Sequence, residues 1–91
     1  MTYAVVLSTD GEPGKAGRLD LDPKSFSFSD GRRVRYADLT AIYLERAPGK
    51  PPSLVVQPRS GDLLRFVSLE GVGALHELAE HIYEGRERVA A

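Results

Sequence analysis

Apolar and polar residues alternate through most of positions 1–69, and from position 72 the apolar spacing becomes helical. That change of period predicts a β-rich chain closed by one terminal helix. Tyr3 to Ser8 is an apolar run ending in the turn-rich stretch Thr9-Asp10-Gly11-Glu12-Pro13-Gly14, which Lys15, Ala16 and Gly17 complete. Leu19 and Leu21 alternate with Arg18, Asp20 and Asp22, and Phe26 and Phe28 with Ser25, Ser27 and Ser29, as half-buried strands do. Pro23-Lys24 turns between these two. Asp30-Gly31 predicts a tight hairpin, because glycine tolerates positive φ, and Val34 with Tyr36 resumes the alternation.

Asp38-Leu39-Thr40 interrupts the pattern before Ile42 and Leu44 restore it. Strand five is therefore expected to leave strand four at a corner, where a sheet passes from one layer to the next. Residues 47–53 hold Pro48, Pro51 and Pro52, which lack the donor a central strand needs, so this segment is a loop. Leu54 to Gln57 and Leu63 to Leu69, either side of the turn Pro58-Arg59-Ser60-Gly61-Asp62, bring the expected strands, all within residues 3–69, to seven.

Val72, Leu75, Leu78, Ala79, Ile82 and Tyr83 then fall on one stripe opposite Glu77, Glu80 and Glu84, which predicts a helix over about 72–84. Gly85 reads as its stop, residues 86–91 as a frayed tail, and Ser68 or Glu70 as the residue capping its start. A seven-stranded antiparallel sheet bent into a partly open barrel leaves one apolar end, and a helix with one apolar stripe is its natural cover. The expected fold class is mainly β with one C-terminal α-helix, in a single domain spanning residues 1–91.

Bulk composition narrows the setting. With 42% hydrophobic and 27% charged residues the chain reads as a globular protein, with stability on the order of 5–10 kcal/mol at this size. The longest purely apolar run is Ala4 to Leu7, so no transmembrane segment and no signal peptide is expected, and the expected location is cytoplasmic. The absence of cysteine removes disulfides, thiol nucleophiles and thiolate metal sites together. A net charge of −1 argues against a nucleic-acid partner, since such domains are strongly basic. The charge is nonetheless segregated. Residues 46–69 carry Arg46, Lys50, Arg59 and Arg65 against Asp62, a sum of +3, whereas 70–91 carry five glutamates against Arg86 and Arg88, a sum of −3.

Candidate chemistry is sparse. His76 and His81 invite comparison with zinc-binding helices, but they are five residues apart, about 140° around the axis, so one helix cannot aim both at one metal. His76 with Glu80 and Glu77 with His81 read instead as i,i+4 pairs. No nucleophile elbow or Ser-His-Asp arrangement is recognisable, so no enzyme, cofactor or metal is expected. Pro48 to Pro51 matches the PxxP pattern, but such short matches are common by chance and a hairpin loop explains the prolines fully. Tyr43 lies opposite in phase to Ile42 and Leu44, so it is expected to face outward as a partner surface, and Arg33 and Arg35 share one sheet face.

Taken as a pattern of positions from about Gly17 to Tyr83, the chain resembles the pleckstrin-homology (PH) superfold, in particular the small bacterial PH-like and GRAM-like domains. The likeness rests on Leu19 and Leu21, Phe26 and Phe28, Asp30-Gly31, Val34, the step Tyr36-Ala37-Asp38-Leu39 to Ile42, Leu54 with Val56, Gly61, Leu64 with Phe66, and the closing helix. The chain lacks the tryptophan that PH domains carry in the last helix, as bacterial PH-like domains do. Its Lys15 is followed by Arg18-Leu19-Asp20, which fails the basic-x-arginine step of phosphoinositide binders at its last position.

The resemblance implies that the loops after strands one, three and six gather at a ligand mouth. Lys15, Arg18, Arg32, Arg33 and Arg59 would there form an anion- or partner-binding rim, diluted by Asp10, Glu12, Asp30 and Asp62. The expected function is a non-enzymatic module that binds a protein partner or a second copy of itself, through an exposed sheet edge or through the strand-five face that carries Tyr43, with Arg35 as a further partner-surface residue. The alternative is weak binding of anionic lipid or phosphate at the five cations.

Overall fold

In the computed structural model, residues 1–10 and 12–90 are described. Gly11, inside the expected first loop, and Ala91, the last residue of the expected tail, lie outside the described residues. Seven strands follow one another: β1 (Thr2–Thr9), β2 (Lys15–Leu21), β3 (Ser25–Phe28), β4 (Arg33–Arg35), β5 (Leu39–Glu45), β6 (Ser53–Pro58) and β7 (Leu64–Ser68). One turn of 3-10 helix, Tyr36–Asp38, joins β4 to β5, and the chain ends in helix α1 (Val72–Ala90). The strands form a single antiparallel sheet in the order β4-β3-β2-β1-β7-β6-β5, curled into a half-barrel whose two edges are β4 and β5.

Alternation decides what the curl encloses. Val5 and Leu7 stand opposite Gly17 and Lys15 on one side and Ser68 and Phe66 on the other, which puts every second side chain of three strands on the inner face. Val5, Leu19, Phe26, Leu54, Val56 and Phe66 are all at most 1% exposed there, and Phe26 meets Phe66 edge to face at 5.9 Å. Leu75, Leu78 and Ile82 of α1 close the open side and are equally buried, each worth about 1.5–3 kcal/mol in transfer out of water.

Three turns carry their own explanation. At the β3–β4 hairpin Gly31 adopts φ +99°, its N–H donates to the Phe28 carbonyl, and the Asp30 carboxylate accepts from Arg32 N–H at 2.9 Å. Between β2 and β3 the Asp22 carboxylate accepts from the N–H groups of Lys24 and Ser25 at 2.9 and 2.8 Å. The expected corner is the 3-10 turn: Tyr36 N–H donates to the Lys24 carbonyl and Arg59 N–H to the Asp38 carbonyl, tying the free end of the β4 side to the β6–β7 loop.

The helix departs from expectation at both ends. It runs through Gly85 to Ala90, so residues 86–90 are helical and not a frayed tail. Gly85 is buried and serves as a point of close approach to Tyr36. At the start, Gly71 with φ +104° precedes the first turn, and neither expected cap acts as one. The Ser68 hydroxyl accepts from Glu70 N–H, and the Glu70 carboxylate accepts from Ala4 N–H at 2.7 Å, fastening β1 to the segment ahead of the helix. Among the described residues no helix is long and apolar enough to cross a membrane.

Candidate functional site

The two sheet edges are built differently. β4 has three residues, two of them arginine, with Arg33 3.7 Å from Asp22 and Arg35 3.4 Å from Asp38. Short length and charge are the devices that keep an edge from pairing. β5 has seven residues, Leu-Thr-Ala-Ile-Tyr-Leu-Glu, with no charge before Glu45, and that carboxylate is held by Arg65 at 2.8 Å. Its inner side pairs with β6 from Leu39 to Glu45, with one irregularity at Thr40 between Leu39 and Ala41. Among the described residues no strand pairs with its outer side, and the Leu39 N–H at its start donates to the Tyr36 carbonyl of the preceding turn.

Beside that free edge lies an apolar groove of about 270 Å³, lined by Ile42, Tyr43, Leu44 and Leu54 from the sheet and Ala79, Glu80 and Tyr83 from α1. Tyr43 is 48% exposed and Tyr83 52%. Tyr43 stands across from Val55, and Val55 from Arg65, so on the convex face the tyrosine and the arginine flank a valine that is fully buried. The helix runs antiparallel to β5: Arg46, just past the end of β5, lies 3.3 Å from His76 Nε2 in the first turns of α1, and Gly85, nine residues on from His76, abuts Tyr36 just before β5 begins.

Tyr83 was expected on the buried stripe and is instead on its flank. At 100° per residue it shares a side with Ala79 and not with Leu75, Leu78 and Ile82, and that angular offset is the signal that distinguishes a groove residue from a core residue.

The five loop cations do not form one cluster. Arg32 and Arg33 line a hollow of about 370 Å³ between the β3–β4 and β6–β7 loops, together with Asp38, Ser60 and Asp62, so two acids balance two bases there. Lys15, Arg18 and Arg59 are not part of that lining. Lys15 is the exposed first residue of β2. Arg18 alternates with the buried Leu19 and so points to the convex face, its N–H donating to Ser29 Oγ at 3.1 Å. Arg59 is exposed on the β6–β7 loop, where its backbone N–H is spent on Asp38. Arg35 borders a separate hollow with Asp22, Pro23, Lys24, Ser25 and Arg33.

Of the two expected helix pairs, His81 meets Glu77 at 3.9 Å, while His76 meets Arg46 and not Glu80. Glu77 also accepts from the Tyr3 hydroxyl at 2.9 Å. Burial, followed by that bond and the nearby carboxylates, pushes the Tyr3 phenol up to about 12. No cluster of three or more metal-ligating side chains occurs among the described residues.

No protein-family model matches the chain, and no curated protein does either.

Proposed function

We propose that this chain is a non-enzymatic binding module of the PH-like kind, which takes an extended protein segment along the outer edge of β5 and into the groove between β5 and α1. The observation that carries the reading is the pairing of a seven-residue edge, whose one charge is the Arg65-held Glu45 at its end, with an apolar groove flanked by two half-exposed tyrosines. An added strand satisfies the free backbone groups of the edge, and alternate side chains of that strand drop toward Ala79 and Tyr83, the usual division between affinity and specificity in strand addition. Tyr43 and Tyr83 suit a contact surface because each offers a large rigid area with a polar tip. The antiparallel seven-stranded sheet closed by a C-terminal helix supports the PH-like reading.

Selection of displayed random peptides tests this. The wild-type chain is expected to enrich segments with alternating apolar residues, which then protect β5 amides from hydrogen exchange. A folded Tyr43→Ser/Tyr83→Ser variant is expected to enrich none. Equal enrichment by the two proteins overturns the proposal. Anion binding at the rim is less well supported, because Arg32 and Arg33 pair with Asp30 and Asp22 and share their hollow with Asp38 and Asp62.

A further inference from the structure

We infer that the strand accepted at the β5 edge is β5 of a second copy, giving a two-fold symmetric dimer in which Arg46 of each chain reaches the acidic stripe of the other chain's helix. The inference rests on the β5 edge being the binding surface, and it adds the occupant.

The occupant is argued from charge and direction. A strand that pairs antiparallel with β5 runs parallel to α1, because α1 itself runs antiparallel to β5. The end of the incoming β5 therefore lies at the start of the resident β5, alongside the half of α1 around Gly85. In that half Glu80, Glu84 and Glu87 recur at spacings of four and three, and so follow one exposed stripe on the outward face of the helix, of which Glu80 also lines the groove. None of the three has an ion-pair partner among the described residues.

Arg46 is exposed, its side chain lies 3.3 Å from His76 Nε2, and it has no carboxylate partner among the described residues. Ile42, Leu44 and Arg46 share one strand face by alternation, the face that looks toward the helix. Arg46 of the second copy thus arrives on the helix side, at the end where Glu84 and Glu87 wait without partners. Two-fold symmetry makes the contact twice.

Register follows from parity. Facing residues of an antiparallel pair point to the same side, so the pairing that sets Tyr43 against Tyr43 also sets Ile42 against Leu44 and Leu44 against Ile42. A shift by two opposes Leu44 to Thr40 in one direction and Ile42 to Arg46 in the other, an apolar residue to a polar one either way. The incoming strand brings no unpaired acid to the acidic helix, since its Glu45 is held by Arg65.

Sedimentation equilibrium on the full chain decides the matter, with Tyr43→Lys, Arg46→Glu, and the combined Arg46→Glu/Glu84→Arg/Glu87→Arg as variants, each shown to be folded by circular dichroism. The wild type is expected to dimerise in a concentration-dependent way. Tyr43→Lys, which faces lysine with lysine across the axis, is expected to be monomeric. Arg46→Glu is expected to weaken the dimer by about tenfold, and the combined charge reversal to restore most of that loss. A wild type that stays monomeric at every concentration reached, or a dimer indifferent to Tyr43→Lys and Arg46→Glu, overturns the inference. If the wild type is monomeric yet its selected peptides still depend on Tyr43 and Tyr83, the second copy is excluded while the binding edge stands; if peptide selection fails as well, both fall.

Discussion

The ring of Tyr36 fills the space that a side chain at position 85 would need: a Cβ built on Gly85 would stand 2.5 Å from Cδ2 and Cε2 of Tyr36. The ring has no easy retreat, because Tyr36 is 1% exposed and its hydroxyl donates to the Asp22 carbonyl at 2.9 Å. Glycine inside a helix ordinarily costs about 1 kcal/mol relative to alanine. Here overpacking opposes that gain at about 1–3 kcal/mol. Gly85→Ala is therefore expected to lower the denaturation midpoint, while Gly73→Ala, with open space within 4 Å of its Cβ, is expected to raise stability by about 0.5–1 kcal/mol. Urea unfolding of the two variants beside the wild type checks both signs.

This glycine also marks where legibility in the sequence ended. The alternation at Leu19, Leu21, Phe26 and Phe28 and the helical spacing at Leu75, Leu78 and Ile82 made the strand count and the closing helix readable, since both patterns follow directly from which face is buried. A glycine that ends a helix and one that admits a ring look alike in one dimension. The difference lies in Tyr36, nearly fifty positions away. The same holds for the loop cations: Arg18 and Arg32 are brought near or kept apart by strand order and face, and the contrast between an arginine-rich β4 edge and a β5 edge without charge before Glu45 has meaning only once those two strands are known to be the outermost.

Leu78 and Tyr83 separate core from groove. Leu78 is fully buried under the sheet and Tyr83 is 52% exposed on the flank of the same helix. Leu78→Ala is expected to cost about 2–5 kcal/mol, a large part of the total stability, because the half-barrel cannot collapse around the void. Tyr83→Ala is expected to change stability by about 0.5 kcal/mol or less. Equal losses in thermal or urea unfolding would show that Tyr83 belongs to the core.

Tyr3 and Tyr36 predict an alkaline limit to the fold. Burial raises both phenols to about 12, helped at Tyr3 by the bond to Glu77 and at Tyr36 by the charge of Asp22. A folded-state value above the unfolded one, near 10, means that the neutral phenols stabilise the fold fully below about pH 10 and that this contribution is lost as pH rises toward 12. Ultraviolet titration is expected to show these two groups ionising together with loss of far-ultraviolet dichroism. Tyr3→Phe removes one of them and leaves Tyr36 to titrate alone in that range.

Asp22 sets the opposite, acidic limit. Its carboxylate accepts from Lys24 N–H, Ser25 N–H and the Ser25 hydroxyl, and Arg33 stands 3.7 Å away. The backbone N–H groups first, then the hydroxyl, and last the arginine hold it below the ordinary 3.8. Because the folded-state value is depressed, the stabilisation is present above the unfolded value and disappears as pH falls through the folded one. Protonation there loosens the β2–β3 turn, on whose Asp22 and Lys24 carbonyls the hydroxyl and N–H of Tyr36 both rely. Asp22→Ala is accordingly expected to be less stable than the wild type at neutral pH, with the gap narrowing steadily as the buffer is taken below 3.8. Urea midpoints at a series of pH values measure that gap, and a gap independent of pH would mean that the carboxylate charge contributes nothing to the turn.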